Sequence, residues 1–248
     1  MSQQDNINQT DTLFSQARPD LHPFTFNQAV VDVFPDMINR SVPGYQTIVD
    51  GIGKIAKNTL ADNSHVYDLG CSTGSVSLSI AKQCAPNALR ISAIDNSEAM
   101  VKRCRQHIAS YRHCSTINVS EGDITNISLL PCNMAVINFT LQFISQEHRQ
   151  KIVSDIYRAL EPGGICIISE KIKANSESVN HLLIDLHHDF KRDNGYSDLE
   201  ISQKRSALED VMILDTLDTH LNRMRTAGFT EISTWYQNLN FASMVAIK

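Results

Sequence analysis

Five short apolar segments, most of them followed by an amphipathic stretch, govern what this chain can fold into. "HVYDLG" (65–70), "RISAIDN" (90–96), "TINVSEGDI" (116–124), "MAVINFT" (134–140) and "ICIIS" (165–169) read as strands, being short, rich in β-branched residues and bounded by turn formers. After the second, Met100, Val101, Cys104 and Ile108 share one helical face, with Ser97 as its cap. After the fourth, Ile152, Val153, Ile156 and Leu160 do the same, in a helix opened by Ser145 and stopped by Glu161-Pro162-Gly163-Gly164. Parallel strands need crossovers of this kind, so the alternation predicts an α/β, doubly wound, Rossmann-like sheet. Its ligand belongs at the carboxyl ends of the strands. "EISTWYQ" and "FASMVAIK" lie only a few residues apart and predict an antiparallel pair, completing a mostly parallel seven-stranded sheet with an antiparallel last strand. Residues 25–60 read as helices broken at Pro35 and at Pro43-Gly44. The expected organisation is one domain, with 1–60 an N-terminal extension and helical lid and 61–248 the ligand-binding α/β part.

Composition narrows the function classes. The 248 residues carry 27 acids against 22 bases, a net charge of −5, which favours a small-molecule substrate over direct nucleic-acid binding. No apolar run approaches the ~18–20 residues that span a bilayer, so no membrane segment is expected. "MSQQDNINQTDTLF" has neither the basic nor the apolar region of a signal peptide. The six cysteines are scattered without a C-x-x-C pair, which argues against a disulfide framework and a zinc site and for a reducing, cytoplasmic setting.

Three strand ends carry the chemistry. In "YDLGCSTGS", Gly70 and Gly74 bracket a tight strand-to-helix turn that lets a ligand approach the backbone. Asp95 follows 25 residues after Gly70, where a carboxylate accepts both hydroxyls of a ribose. Asp123, in "EGDI", is placed to accept from an adenine amino group, with the Ile124 N–H beside it. Each acid alone is as readily a cap or a solvated loop residue; three signals at consecutive strand ends are not a chance pattern. Ser72 replaces the second glycine of G-x-G-x-x-G, so the site suits a nucleoside with an amino-acid arm better than a dinucleotide. Asn138 could donate to and accept from such an arm, or simply form a strand-end turn.

These features resemble the class I S-adenosylmethionine-dependent methyltransferase fold. The fourth strand ends in "NFTLQF", without the Asn/Asp-Pro-Pro-aromatic signature of amino-base methylation. Taken together, "VFPDMINRSVPGY", "VYDLGCSTG", "AIDNSEAMVKRCR", "EGDI", "NFTLQF", "LEPGG", "SEK", "HHDFKRDNGYSDLEISQKRSALEDV" and "AGF" resemble the carboxy-S-adenosyl-L-methionine synthase family from about residue 24 to the C-terminus. The resemblance implies a homodimeric carboxyl transferase that uses S-adenosyl-L-methionine as a substrate, without a metal. Prephenate would lose its carboxyl group to the sulfonium methyl and leave as phenylpyruvate. The carboxylated product would serve a partner enzyme that places a carboxymethyl group on a hydroxylated wobble uridine of tRNA, giving 5-oxyacetic acid. It further implies that Tyr45, Gly70, Cys71, Ser72 and Asn138 contact the methionine arm. Asp95 and Asn96 would hold the ribose and adenine edge, Asp123 and Ile124 the adenine, and Arg205 the new carboxylate.

The stretch "ISQKRSALEDVM" (201–212) bears on that last role. At helical period Ile201, Leu208, Val211 and Met212 form an apolar stripe, and Lys204 and Arg205 fall at its edges. Geometry does not choose between the two cations. A planar guanidinium grips a carboxylate through two hydrogen bonds and an ammonium does not, so Arg205 is assigned to the ligand and Lys204 to a structural ion pair. Bland readings cover the rest: His187, His188 and Asp189 as a polar helix edge lining the substrate or dimer surface, Lys191 and Arg192 as a solvated helix end, Cys71 as a packing residue. The rival functions are a conventional methyltransferase acting on a small molecule or tRNA, and a non-catalytic scaffold.

Overall fold

A strand covered on both faces has no solvent side to alternate with, and the central strands show it. β1 (His65–Leu69) is buried at every position and β4 (Cys132–Asn138) at all but two. In the computed structural model, which describes residues 10–17, 23–209 and 211–248, these two pair in parallel at the middle of the sheet. β2 (Arg90–Asp95) and β3 (Thr116–Glu121) extend it on one side and β5 (Leu160–Lys173) on the other, all parallel. β7 (Glu231–Asn238) and β8 (Phe241–Ile247) form the antiparallel pair, with β8 inserted between β5 and β7, giving the order β3-β2-β1-β4-β5-β8-β7.

An eighth strand joins the expected seven. β6 is only Asp215–Thr216, parallel to the end of β5 at Ile172 and Lys173. Two residues are too few to leave a periodic signature, and long-range bonds to the Asp215 side chain hold them.

The helices are α1 (Gln28–Ser41), α2 (Tyr45–Thr59), α3 (Ser75–Gln83), α4 (Glu98–Ala109), α5 (Gln146–Ala159), α6 (Glu177–Asp193), α7 (Asp198–Glu209) and α8 (Leu217–Ala227). Ser97 caps α4 by accepting from the Met100 N–H at 3.2 Å. Core layers lie on both faces of the sheet, one under α2 and α3 around Ile48, Ile52 and Ile80, the other under α5 and α8 around Ile152, Ile156 and Met224. α1 packs Val30, Val31, Phe34 and Met37 against Met100 of α4. That contact places α1 over the carboxyl ends of the strands.

Two local expectations are corrected. Pro35 does not break the first helix; α1 runs through it, because burial of Val31, Phe34 and Met37 outweighs a local penalty of about 3 kcal/mol. The break falls at Val42–Gly44, where Gly44 takes φ +74° and a Cβ would meet the Tyr236 hydroxyl at 1.6 Å. The helix read over 201–212 ends earlier: α7 stops at Glu209, its buried face is Ile201, Gln203, Lys204 and Ala207, and Val211 and Met212 lie beyond it. Asp210, part of the polar face in that reading, lies outside the described residues, as do 1–9 and 18–22 of the N-terminal extension and leader reading. Among the described residues no helix is long and apolar enough to cross a membrane.

Candidate active site

A cavity of about 360 Å³ opens at the carboxyl ends of β1, β2 and β4, with α1 and the start of α2 against it. The turn after β1 supplies its floor. Gly70 has φ +82°, and a Cβ there would stand 2.2 Å from the Thr140 hydroxyl, so only glycine fits. The Gly70 and Cys71 N–H groups both donate to the Ile94 carbonyl, at 2.8 and 2.9 Å, tying the turn to β2. Ser72 is held in the left-handed region at φ +50°, and its N–H donates to Asp95 Oδ2 at 2.8 Å. Asp95 Oδ1 accepts from the Ser97 N–H at 3.0 Å, while burial pushes its pKa up against those two bonds. Asp95 is thereby fixed in place beside Asn96, both lining the cavity.

Asp123 and Ile124 line the same end. Asp123 lies two residues past β3, exposed, accepting from the Thr125 N–H at 2.9 Å, whereas Ile124 is buried. Aromatic rings shape both walls: Phe26 stands edge-on to Phe143 at 5.2 Å, and Tyr45 lies 6.2 Å from Phe139. Phe139 is also left-handed, at φ +59°, directly after Asn138. Ser72 and Phe139, both left-handed, line this one cavity. Burial pushes the Tyr45 hydroxyl up to about 12, so it stays protonated.

Asp68, which the sequence reading did not select, faces the cavity from within β1. Its Oδ2 accepts from the Ser77 N–H at 3.1 Å and hydroxyl at 2.6 Å, and burial raises its pKa to about 6. Among the described residues its Oδ1 is buried without a hydrogen-bond partner, and so is Oδ1 of Asn138. An orphaned buried acceptor costs about 1–3 kcal/mol, so this pair calls for donors brought by a ligand, as the ammonium of an amino-acid arm would be. The residues present fit S-adenosyl-L-methionine. The only hint in the sequence was an acid two residues before Gly70.

The cavity continues into a cationic end. Lys171, Lys191, Lys204 and His187 line it, near Ser41 and Phe241. Lys191 is not at a solvated helix end, as its sequence position suggested, but 7% exposed, because α6 turns that face inward. Its neighbour Arg192 does face solvent, paired with Asp189 and Asp198. Lys204 makes the structural pair assigned to it, 3.2 Å from Asp11 Oδ2, and also donates to Ser41 Oγ at 3.0 Å. His187 is buried with Nε2 2.8 Å from the Ser41 carbonyl; burial and then the neighbouring lysines hold its pKa near 2, so the ring is neutral. Arg205 is exposed and does not line the cavity, although its charge is close enough to help lower the pKa of Lys171.

Two further residues set the wall opposite α1. Glu170 accepts from the N–H groups of Thr140, Leu141 and Gln142 at 3.1, 2.8 and 3.0 Å, anchoring the 3-10 turn Leu141–Phe143. Arg149, with no exposed surface, donates to the carbonyls of Ile144 and Ile213 at 2.8 and 2.9 Å and to Asp215 at 2.7 Å. Among the described residues no group of three or more His, Cys, Asp or Glu is placed to hold a metal ion.

Comparison with known proteins agrees with this geometry. Residues 66–164 match the family model described as a methyltransferase domain. The carboxy-S-adenosyl-L-methionine synthase of Colwellia psychrerythraea is 48% identical over 96% of this chain and 98% of its own. That of Pseudoalteromonas translucida is 52% identical over 91% and 93%. Among solved structures, human N-acetylserotonin methyltransferase in complex with SAM superposes with a TM-score of 0.59 at 14% identity, covering 89% of this chain and 55% of that one. That likeness shows the fold; the full-length identities show more. The chain belongs to the carboxy-S-adenosyl-L-methionine synthase family, built on the class I S-adenosylmethionine-dependent methyltransferase fold.

Proposed function

We propose that the protein converts S-adenosyl-L-methionine and prephenate to carboxy-S-adenosyl-L-methionine and phenylpyruvate, acting as a one-carbon carboxyl transferase and not as a methyl donor. The observation that carries this reading is identity of about half along nearly the whole chain with proteins of that name. The cavity supports it, since Lys171, His187, Lys191 and Lys204 line it in addition to the strand-end residues. The reaction balances without an outside reagent. Prephenate gives phenylpyruvate, carbon dioxide and hydroxide, driven by aromatisation; the hydroxide takes one methyl proton, acidified by the positive sulfur, and leaves as water while the methyl carbon bonds to carbon dioxide. The protein's part is to hold both reactants in a dry site.

In this reading Tyr45, Gly70, Cys71, Ser72 and Asn138 hold the methionine arm, Asp68 joining them. Asp95 and Asn96 hold the ribose and adenine edge, and Asp123 with Ile124 the adenine. Arg205, near Lys171, takes the added carboxylate. Residues 1–60 act as the lid of one domain. A homodimer is supported by Val179, Leu182 and Leu186, exposed apolar side chains along α6. The product would supply, in the cytoplasm, the enzyme that carboxymethylates the tRNA wobble uridine.

Mass spectrometry after incubation with both substrates tests the reaction. The expected product is heavier than S-adenosyl-L-methionine by one carbon dioxide, with phenylpyruvate in equal amount. S-adenosylhomocysteine alone, with prephenate unconsumed, would mean a conventional methyltransferase.

A further inference from the structure

Among the described residues, the cationic end of the cavity has no anion that is not already engaged. Lys191 is 7% exposed, and among the described residues its ammonium has neither an ion pair nor a hydrogen bond. Among the described residues the Lys171 ammonium has only the Phe241 ring, 5.7 Å from its centroid. Nearby acids are already engaged. Glu170, next in sequence to Lys171, accepts three backbone N–H groups, and Asp11 accepts from Lys204 and Tyr196. Among the described residues, the charged neighbours that act on Lys191 are Lys171 and Lys204, and the one that acts on Lys171 is Arg205, all of them positive. His187 is neutral and turned to the Ser41 carbonyl.

Burying unpaired cations together is costly, and each would be neutral or replaced by an apolar residue if packing alone mattered. Burial, then repulsion from Lys171 and Lys204, holds Lys191 near 7, and burial, then repulsion from Arg205, holds Lys171 near 8, poised to recover full charge when an anion arrives. The reacting sulfonium of S-adenosyl-L-methionine is itself a cation, and its one carboxylate shares a carbon with the ammonium that Asp68 and Asn138 call for. We propose that Lys171 and Lys191 form the subsite for the carboxylate of the second reactant, and so select an anionic carboxyl donor and hold it against the sulfonium. This deepens the proposed function and rests on it for the identity of the donor.

Lys171→Met and Lys191→Met are compared with wild type for S-adenosyl-L-methionine binding by calorimetry, for prephenate KM, and for binding of phenylpyruvate by calorimetry in the presence of S-adenosyl-L-methionine. Loss of one charged hydrogen-bond partner predicts a rise of about 30-fold in prephenate KM and in phenylpyruvate Kd. The Kd of S-adenosyl-L-methionine should change less than about twofold, and Lys191→Arg should restore part of the loss. Unchanged donor KM in active variants would overturn the subsite and leave the function standing. An equal loss of S-adenosyl-L-methionine affinity would overturn it too, placing the lysines on that ligand's own carboxylate. If wild type makes no carboxylated product, the function fails; the subsite then stands only if phenylpyruvate still binds and the variants weaken it, and falls if wild type binds no such anion.

Discussion

The chain gathers two clusters of cations and treats them in opposite ways. Between α5, β6 and α8, Arg149 and Arg223 both donate to Asp215 Oδ2 at 2.7 Å, Gln146 donates to Oδ1 at 2.9 Å, and Arg223 also meets Nδ1 of His220 at 3.0 Å. Burial alone would raise the Asp215 pKa, but the two guanidinium groups overcome it and hold it near 2. At the cavity, Lys171 and Lys191 have no carboxylate among the described residues. A buried charge with its counter-ion built in closes a structure; one without it waits for a ligand. The guanidinium groups fork onto fixed acceptors and lock the wall of the cavity, whereas the ammonium groups remain adjustable.

Breaking the first cluster should have the largest effect. Asp215→Ala leaves two buried guanidinium groups without their anion, a loss of about 3–5 kcal/mol. In a chain of this size that lowers Tm by roughly 10 °C, readable by calorimetry. A loss near that of a surface substitution would mean the cluster is not a structural lock.

The pH dependence should separate the clusters next. Asp215 is depressed below its ordinary value, so its contribution is present above about pH 4 and disappears as pH falls toward 2. Lys191 is also depressed, but it is a base: between pH 7 and its ordinary 10.5 the unfolded chain holds a proton that the folded one has lost, so stability rises with pH. Without a donor bound, denaturant titration should show a gain of about 1–2 kcal/mol from pH 7 to 9. Lys171 acts in the same direction, and Lys204 and neutral His187 face the same space. The gain should therefore shrink, not vanish, in Lys191→Met. The smallest effect is at pH 7 itself, where Lys191→Met should raise stability by about 1 kcal/mol by removing a buried like charge. A fall instead would show that Lys191 has a partner within the fold.

That Gly70, Ser72, Asp95 and Asp123 line one cavity was legible in the sequence because it is local. Gly70, Ser72, Asp95 and Asp123 sit at strand ends, so the period of the strands and one glycine fix where they converge. Asp68 escaped notice because an acid inside an apolar strand gives no sign of which face it takes. Lys191 was misread for a related reason. α6 carries polar residues on several faces, so periodicity could not say that Lys191 turns inward while its neighbour Arg192 faces solvent. The same ambiguity hid Arg149, whose partners lie 64 and 66 residues away at Ile213 and Asp215.

By itself the sequence determined the strand–helix alternation, the antiparallel pair at the end, the place of the nucleoside turn and the family. Each is written in short-range spacing, which the backbone's two periods translate directly into structure. Only the tertiary structure decided which cations are paired and which are not. Pairing is a relation between residues distant in the chain, and its energy depends on burial and on the positions of counter-ions, neither of which a linear pattern carries.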